Sequence, residues 1–377
     1  MSTSARELGK REQVLAFLRR GIDNGTFAPN SRLPTRDELS QRFSTSRSVV
    51  QDALGVLIRE KVVLSRGPQG TFLAPEPLPV RRYGLVFESR PSANQPWWLF
   101  WSALHLVGNS LGDGTSCQIK TYYAGGGSRD SEDYQELLHD VLTHSIAGLV
   151  FASPPFVLLN TPVLGSPGMP RVCIMAAPNL GIPSVYPDLR SFIGTAMDYL
   201  AKRGRRRVSV LWTTLSDSGP HTGWSAEARK RGLVLEPFCL HYFSAATAGA
   251  ARGVAHVMMR LPRKIRPNGL ILADDKLVES ACAGIVASGM RVPDDVDVVA
   301  HCNYPIPVPD VLSCVRLGFD CHEILTKCLE VIDAQREGQP FPDMTWIPAV
   351  FEKEYIARRP LASAGLPLAV APANIGR

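Results

Sequence analysis

The stretch Arg32–Ala74, RLPTRDELSQRFSTSRSVVQDALGVLIREKVVLSRGPQGTFLA, constrains the fold of this chain more than any other. Phe43 closes a short helical pattern and Ser44-Thr45-Ser46 makes a turn. Val49, Val50, Ala53, Leu54 and Leu57 then supply an apolar stripe at helical spacing. Arg47, Ser48, Gln51 and Asp52 fall between the apolar positions and are expected on the exposed face. Val62-Val63-Leu64 and Thr71-Phe72-Leu73 read as two strands joined by Gly-Pro-Gln-Gly. Two helices at a sharp turn followed by a hairpin form the layout of a winged helix-turn-helix, whose second helix enters the major groove of DNA.

The flanking sequence agrees with that reading. Arg11 to Gly25 is expected to be an amphipathic helix with Val14, Leu15, Leu18 and Ile22 on one side. Residues 1–80 carry 12 Lys/Arg against 8 Asp/Glu, so most of the net charge of +6 lies where a polyanion would be held.

At 377 residues the chain is long enough for two or three domains. Pro75-Glu-Pro-Leu-Pro79 can continue neither a helix nor a central strand and reads as a linker. From Tyr83 onward strands alternate with helices, the signature of parallel sheets covered on both faces. Strands are expected at 83–87, 117–123, 146–152, 171–175, 208–212, 233–240, 269–272 and 296–300. Helices are expected at 97–111, 132–142, 191–203, 225–231, 250–261 and 278–288. Two α/β series of similar size imply two lobes with a cleft between them. The expected organisation is a DNA-binding domain over 1–74, a linker over 75–81, a two-lobed domain over 82–360 and a disordered tail rich in Ala, Pro and Gly over 361–377.

The apolar pair Val14-Leu15, the segment IDNGTFAPNSRLPTRDEL, the Ser46-Arg47 step, Asp52-Ala53-Leu54 and the closing Gly70-Thr71-Phe72 resemble the DNA-binding domain of GntR-family bacterial transcription regulators. The resemblance implies that Arg47 reaches a guanine edge or a neighbouring phosphate. Ser46 would cap the recognition helix or donate to phosphate, Ser48 and Gln51 would face the groove, and Gln69 and Gly70 would form the wing tip. Relatives often carry Ser-Glu-Arg-Glu where this chain has Thr35-Arg36-Asp37-Glu38, so the arginine moves by one position, about 100° around a helix. Gln51 replaces an arginine in mid-helix and is suited to bidentate contact with adenine. Thr35 and Arg36 therefore join the candidate DNA contacts, and the operator is not copied from relatives.

The second half resembles the effector domain of LacI-type regulators, which has the fold of periplasmic sugar-binding proteins. The carriers are Asp188 followed by AMDYLAKRGRRRVSVLW, then GLILADDKLVESACAGIVASGMRVPDDVDVVAHCN, and VLSCVRLGFDCHEILTKCLEVIDAQREGQPF. A GntR-type reader joined to such a domain is similar to a regulator subtype that senses arabinose. The resemblance implies a ligand between the lobes, with Trp97 or Trp98 stacking on it and Asp275 accepting from its hydroxyls. Asp188 and Asp275 also suit N-capping. Relatives place an aspartate where this chain has His301-Cys302-Asn303, and an arginine that is not evident in SDSGPHTGW. His221, Trp224 and Asn303 are then candidates for a differently shaped pocket.

The eight cysteines contain no CxxC and no zinc-ligand spacing, and read as reduced, mostly buried thiols. Cys321 and Cys328, seven apart, share a helical face and suit core packing. No run is long and apolar enough to span a bilayer and no signal peptide is evident, so a cytoplasmic protein is expected. The functional expectation is a homodimeric repressor, without metal or cofactor, that binds a double-stranded operator under the control of a small effector, a sugar or related metabolite. The competing expectations are a constitutive DNA binder with a degenerate pocket, and a pyridoxal-phosphate enzyme-like fusion using Lys264 or Lys276.

Overall fold

In a computed structural model of the chain, the described residues are 9–23, 25–74, 82–91, 98–112, 117–124, 129–175, 179–213, 223–306 and 312–359. The stretches expected as a linker (75–81) and a tail (361–377), and the candidates Trp97 and His221, lie outside them.

The amino-terminal helices are α1 (Lys10–Asp23), α2 (Arg36–Phe43) and α3 (Arg47–Arg59), followed by the strands β1 (Val63–Ser65) and β2 (Thr71–Leu73). Thr35 opens α2 with a reciprocal capping box: its hydroxyl accepts from Glu38 N at 3.2 Å, and Glu38 accepts from Thr35 N at 2.6 Å. Ser44 adopts φ 46°, ψ 57° and reverses the chain, and Ser46 caps α3 by accepting from Val49 N at 3.3 Å. Val50, Ala53, Leu54 and Leu57 of α3 bury against Val14, Leu15 and Leu18 of α1, Leu39 of α2 and Leu73 of the wing. At about 1.5–3 kcal/mol per fully buried large side chain, this small core is what fixes the angle between α2 and α3.

The remaining elements are β3 (Arg82–Phe87), α4 (Leu99–Gly112), β4 (Gln118–Tyr123), α5 (Glu132–Leu142), β5 (Gly148–Phe151), α6 (Pro162–Gly165), β6 (Arg171–Ile174), β7 (Ser184–Pro187), α7 (Leu189–Lys202), β8 (Val208–Thr213), α8 (Trp224–Lys230), β9 (Leu240–Phe243), α9 (Ala251–Met259), β10 (Gly269–Leu272), α10 (Asp275–Ser288), β11 (Asp297–Tyr304), β12 (Val315–Asp320), α11 (Cys321–Glu337), β13 (Met344–Ile347), β14 (Val350–Phe351) and α12 (Glu352–Arg358). They form two six-stranded sheets, ordered β13-β7-β6-β5-β3-β4 and β14-β12-β11-β10-β8-β9.

The chain divides into two compact units. The first comprises Met1–Pro96, His105–Tyr186 and Leu325–Thr345, and the second Trp97–Leu104, Pro187–Ile324 and Trp346–Arg377. In the first unit β4-β3-β5-β6-β7 run parallel, with Leu149, Phe151 and Cys173 packing on Tyr134, Leu137, Leu138 and Val141 of α5. In the second unit β9-β8-β10-β11-β12 run parallel, and β14 adds an antiparallel edge. The order in each sheet runs outward from its first strand in both directions, so β3/β5 and β8/β10 are the switch points where such sheets open a crevice at the carboxyl ends.

The strand expected over 233–240 does not form. Val234 makes only a single bridge to Arg207, Pro237–Cys239 is a 3₁₀ turn, and the strand begins at Leu240. Pro237 lacks the N–H a ladder needs, which delays pairing until the chain has turned. The strand β7, not anticipated, is held between β6 and β13 despite Pro183 before it and Pro187 at its end.

Candidate DNA interface and effector site

The exposed edge of α3 presents Arg47, Ser48 and Gln51, all solvent-facing. Arg36 is also exposed, at the first position of α2, while Thr35 is half-buried and its hydroxyl is already used in capping. Asp37, the residue that replaces an arginine of the GntR pattern, forms an ion pair with Arg47, with both side chains more than half exposed. The sequence departure thus places a carboxylate directly on the candidate base-reading arginine. Ser46 is occupied as an N-cap, and its O–H remains free to donate while its oxygen accepts from Val49 N.

The wing turn is tight. Gly67–Gln69 forms a 3₁₀ turn with Gln69 exposed, and Gly70 adopts φ 109° with Arg66 N donating to its carbonyl at 2.9 Å. A β-carbon at Gly70 would lie 2.9 Å from Arg32 Nε, so glycine lets the wing pass over Arg32. Arg66 lies over the Phe72 ring at 4.6 Å, which holds a second cation beside the wing tip.

Within the first unit α1 also touches the α5 terminus. Buried Arg19 pairs with Glu60 at 2.8 Å and donates to the Thr143 carbonyl at 3.4 Å. Arg20 Nε donates to His144 Nε2 at 3.3 Å. Burial first, and then the Arg20 and Arg19 charges, push His144 down to about 4, so the ring is neutral and accepts the Arg20 hydrogen bond.

At the β8/β10 switch point the second unit gathers a polar cluster. Asp274, not Asp275, caps α10, accepting from Lys276 N at 2.9 Å. Asp274 also accepts from the Thr213 hydroxyl at the end of β8, and its carboxylate lies 3.3 Å from Lys276 Nζ. Burial works against its ionisation, but Lys276 and the Thr213 hydroxyl hold it below the usual carboxylate range.

Asp275, one residue on, points inward, and the capping alternative considered for it does not apply. It is 7% exposed and accepts from Asn303 Nδ2 at 2.6 Å, with Asn303 itself 3% exposed. Burial, and then the neighbouring Asp274 charge, push the Asp275 carboxyl up. Lys276 Nζ sits 4.1 Å from the centroid of the partly exposed Trp98 ring, which also stacks on Trp101 at 5.6 Å. Trp98, Lys276, Asp274, Asp275 and Asn303 are therefore one connected network.

The other sequence candidates stand elsewhere. Asp188 caps α7, accepting from Arg190 N and Ser191 N at 3.0 and 3.2 Å. Trp224 is buried against Trp212 at 4.9 Å. Lys264 is exposed on a turn. His301 packs between Phe192 and Phe319 at 5.3 and 5.5 Å, and burial pushes it down to about 4.

Two features escaped the sequence reading. Thr213 belongs to the polar cluster. At the β3/β5 switch point of the first unit, the Ser153 hydroxyl donates to Glu88 at 2.7 Å. Each of the three follows or ends a run of buried strand residues, and that position was the signal that could have found them.

Residues 10–73 match the family described as bacterial regulatory proteins, gntR family, and residues 197–342 match the periplasmic binding protein-like domain. The arabinose metabolism transcriptional repressor of Geobacillus stearothermophilus is 23% identical over 369 residues, spanning 89% of this chain and 94% of that one. The galactonate operon transcriptional repressor of Escherichia coli (strain K12) is 29% identical over 68 residues, 18% of this chain and 30% of that protein. A LacI-family regulatory protein from Chloroflexus aggregans covers 72% of this chain and 96% of its own at 16% identity, with a TM-score of 0.55. The transcription regulator CcpA of Lactococcus lactis covers the same shares at 11% identity, with a TM-score of 0.51. No helix among the described residues is long and apolar enough to cross a membrane. Residues 10–73 are thus a gntR-family winged helix-turn-helix and residues 197–342 belong to a periplasmic-binding-protein-like domain, with a fold shared with the Chloroflexus aggregans protein.

Proposed function

We infer that this protein is a cytoplasmic transcription repressor whose operator affinity is set by a small polyhydroxylated effector at the carboxyl ends of the second sheet. The observation that carries this reading is the network Trp98–Lys276–Asp274 with Asp275–Asn303 at the β8/β10 switch point, in a chain that also exposes Arg47 on a recognition helix. Carboxylates that accept, an ammonium and an amide that donate, and an indole wall are the groups a sugar needs. The relative named for arabinose metabolism, aligned over 89% of this chain, favours a sugar. The network is suited to binding rather than turnover, and the protein is read as a regulator and not an enzyme. Lys276 is engaged by Asp274 and Trp98, which argues against a Schiff-base lysine there.

Two copies would present α3 to the half-sites of a pseudo-palindromic operator. The effector acts only if it prefers one arrangement of the protein over another. One observation favours the rival reading of a constitutive repressor: Asp275 and Asn303 already satisfy each other. Thermal unfolding of the full chain with L-arabinose, D-ribose, D-galactose and D-galactonate separates the two. A saturable rise in Tm, lost in Asp275→Asn, supports the sensor; no rise with any of these and close analogues, together with intact operator binding, supports the constitutive reading.

A further inference from the structure

Six of the eight cysteines are buried, and in five of these, Cys173, Cys239, Cys302, Cys321 and Cys328, burial pushes the thiol above its ordinary range. A thiol held protonated and away from solvent is a poor nucleophile. Cys282 and Cys314 differ in arrangement. Cys282 lies midway along α10 and is buried, whereas Cys314 lies just before β12 and is partly exposed. Although 32 residues separate them in sequence, their sulfurs are 3.7 Å apart. A disulfide needs about 2.05 Å, so the two sulfurs must close by less than 2 Å.

We propose that Cys282 and Cys314 form a reversible, peroxide-driven redox site. Cys314, the member that solvent reaches, attacks one oxygen of hydrogen peroxide as its thiolate. The O–O bond breaks, the departing hydroxide leaves as water with the proton from Cys314, and Cys314 becomes a sulfenic acid. Cys282 then attacks the sulfenic sulfur; the S–S bond forms, the S–O bond breaks, and the hydroxide takes the Cys282 proton to leave as a second water. Two thiols are oxidised by two electrons in total, and one peroxide is reduced to two waters. A thiol such as glutathione reverses the step by exchange.

The position gives the bond a mechanical effect. α10 begins with Asp275 and is capped by Asp274, while β12 pairs along β11, the strand that carries Asn303. A Cys282–Cys314 bridge ties the middle of α10 to the entry of β12, the neighbour of the strand that carries Asn303. It closes a loop of about 30 residues in the unfolded chain, so the oxidised protein is the more stable form.

The test is peptide mapping of the full-length protein after treatment with hydrogen peroxide and alkylation of the remaining thiols. The expected product is a cross-linked peptide pair containing Cys282 and Cys314, two hydrogens lighter than the separate peptides and lost on adding dithiothreitol. Tm should be several degrees higher in the oxidised than in the reduced wild type. Cys314→Ser should abolish both the cross-link and the Tm rise. Cys282→Ala should leave a sulfenic acid at Cys314 that dimedone traps. The proposal is overturned if both cysteines remain alkylatable under conditions that oxidise the partly exposed Cys117. It is also overturned if Cys314→Ser shows the same Tm rise as the wild type. Neither sugar nor DNA enters the readout, so the result is independent of the effector reading.

Discussion

Asn303 Nδ2 donates to Asp275 Oδ2 at 2.6 Å, joining the carboxyl end of β11 to the first residue of α10 with both side chains almost fully buried. Asn303 belongs to the step His301-Cys302-Asn303, in which the resemblance to LacI-type regulators implies an aspartate. A second carboxylate there would face Asp275 and Asp274 together, whereas the amide supplies the donor that Asp275 needs. Asn303→Leu should leave Asp275 without that donor and lower stability by about 1–3 kcal/mol in urea unfolding, with unchanged m-value. An unaltered midpoint would mean that water replaces the amide at no cost.

Asp37 is paired with Arg47 and would compete with DNA for it. Arg47→Ala should weaken binding to a selected operator by about 1–3 kcal/mol and relax preference at one base pair. Asp37→Asn should strengthen binding, because it frees Arg47 and removes a negative charge that would repel phosphate. Fluorescence anisotropy with the selected operator and a scrambled duplex, over a salt series, reads both effects. Weaker binding by Asp37→Asn would show that the ion pair positions Arg47 rather than restraining it.

The contact between α1 and the α5 terminus predicts a pH dependence. His144 has a folded-state pKa near 4, below the ordinary histidine value, so the unfolded chain binds the proton more readily. The His144 share of stability should therefore be full above about pH 6.5 and be lost as pH drops toward 4, while the raised Asp275 carboxyl acts in the opposite direction. His301 titrates in the same direction, so the His144 share is read by difference. His144→Asn, which can still accept from Arg20 but does not titrate, should show a shallower fall than the wild type. Superimposable profiles would remove His144 from the account.

Gly284 allows α10 to lie close against α9. A β-carbon there would fall 2.2 Å from the Arg252 carbonyl oxygen, a backbone atom that cannot swing away. Gly284→Ala should cost about 1–3 kcal/mol despite the better helix propensity of alanine. A neutral or stabilising effect in thermal unfolding would show that the two helices separate freely.

What the sequence revealed follows from how local each signal was. The helix at Glu132–Leu142 was legible to the residue, because Ser131 caps it and Tyr134, Leu137, Leu138 and Val141 recur at helical spacing. Leu233–Leu240 misled because six of its eight residues are apolar while Pro237 forbids the pairing. The cluster was legible only in part. Asp275 and Asn303 were candidates, but their contact depends on β10 and β11 being neighbours in the sheet, and nothing in either segment encodes that order. Asp188 has the same local pattern as a ligand carboxylate and a cap, and its hydrogen bonds are those of a cap.

The central claim is that one molecule couples DNA binding by α3 to occupancy of the cluster around Asp275. The most direct measurement is an operator titration of the full chain at fixed salt, with and without a sugar that raises its Tm. The account predicts at least a tenfold change in operator Kd with that sugar, about 1.4 kcal/mol of coupling, and no change in Asp275→Asn. A sugar that saturates the protein and leaves operator Kd unmoved would contradict it.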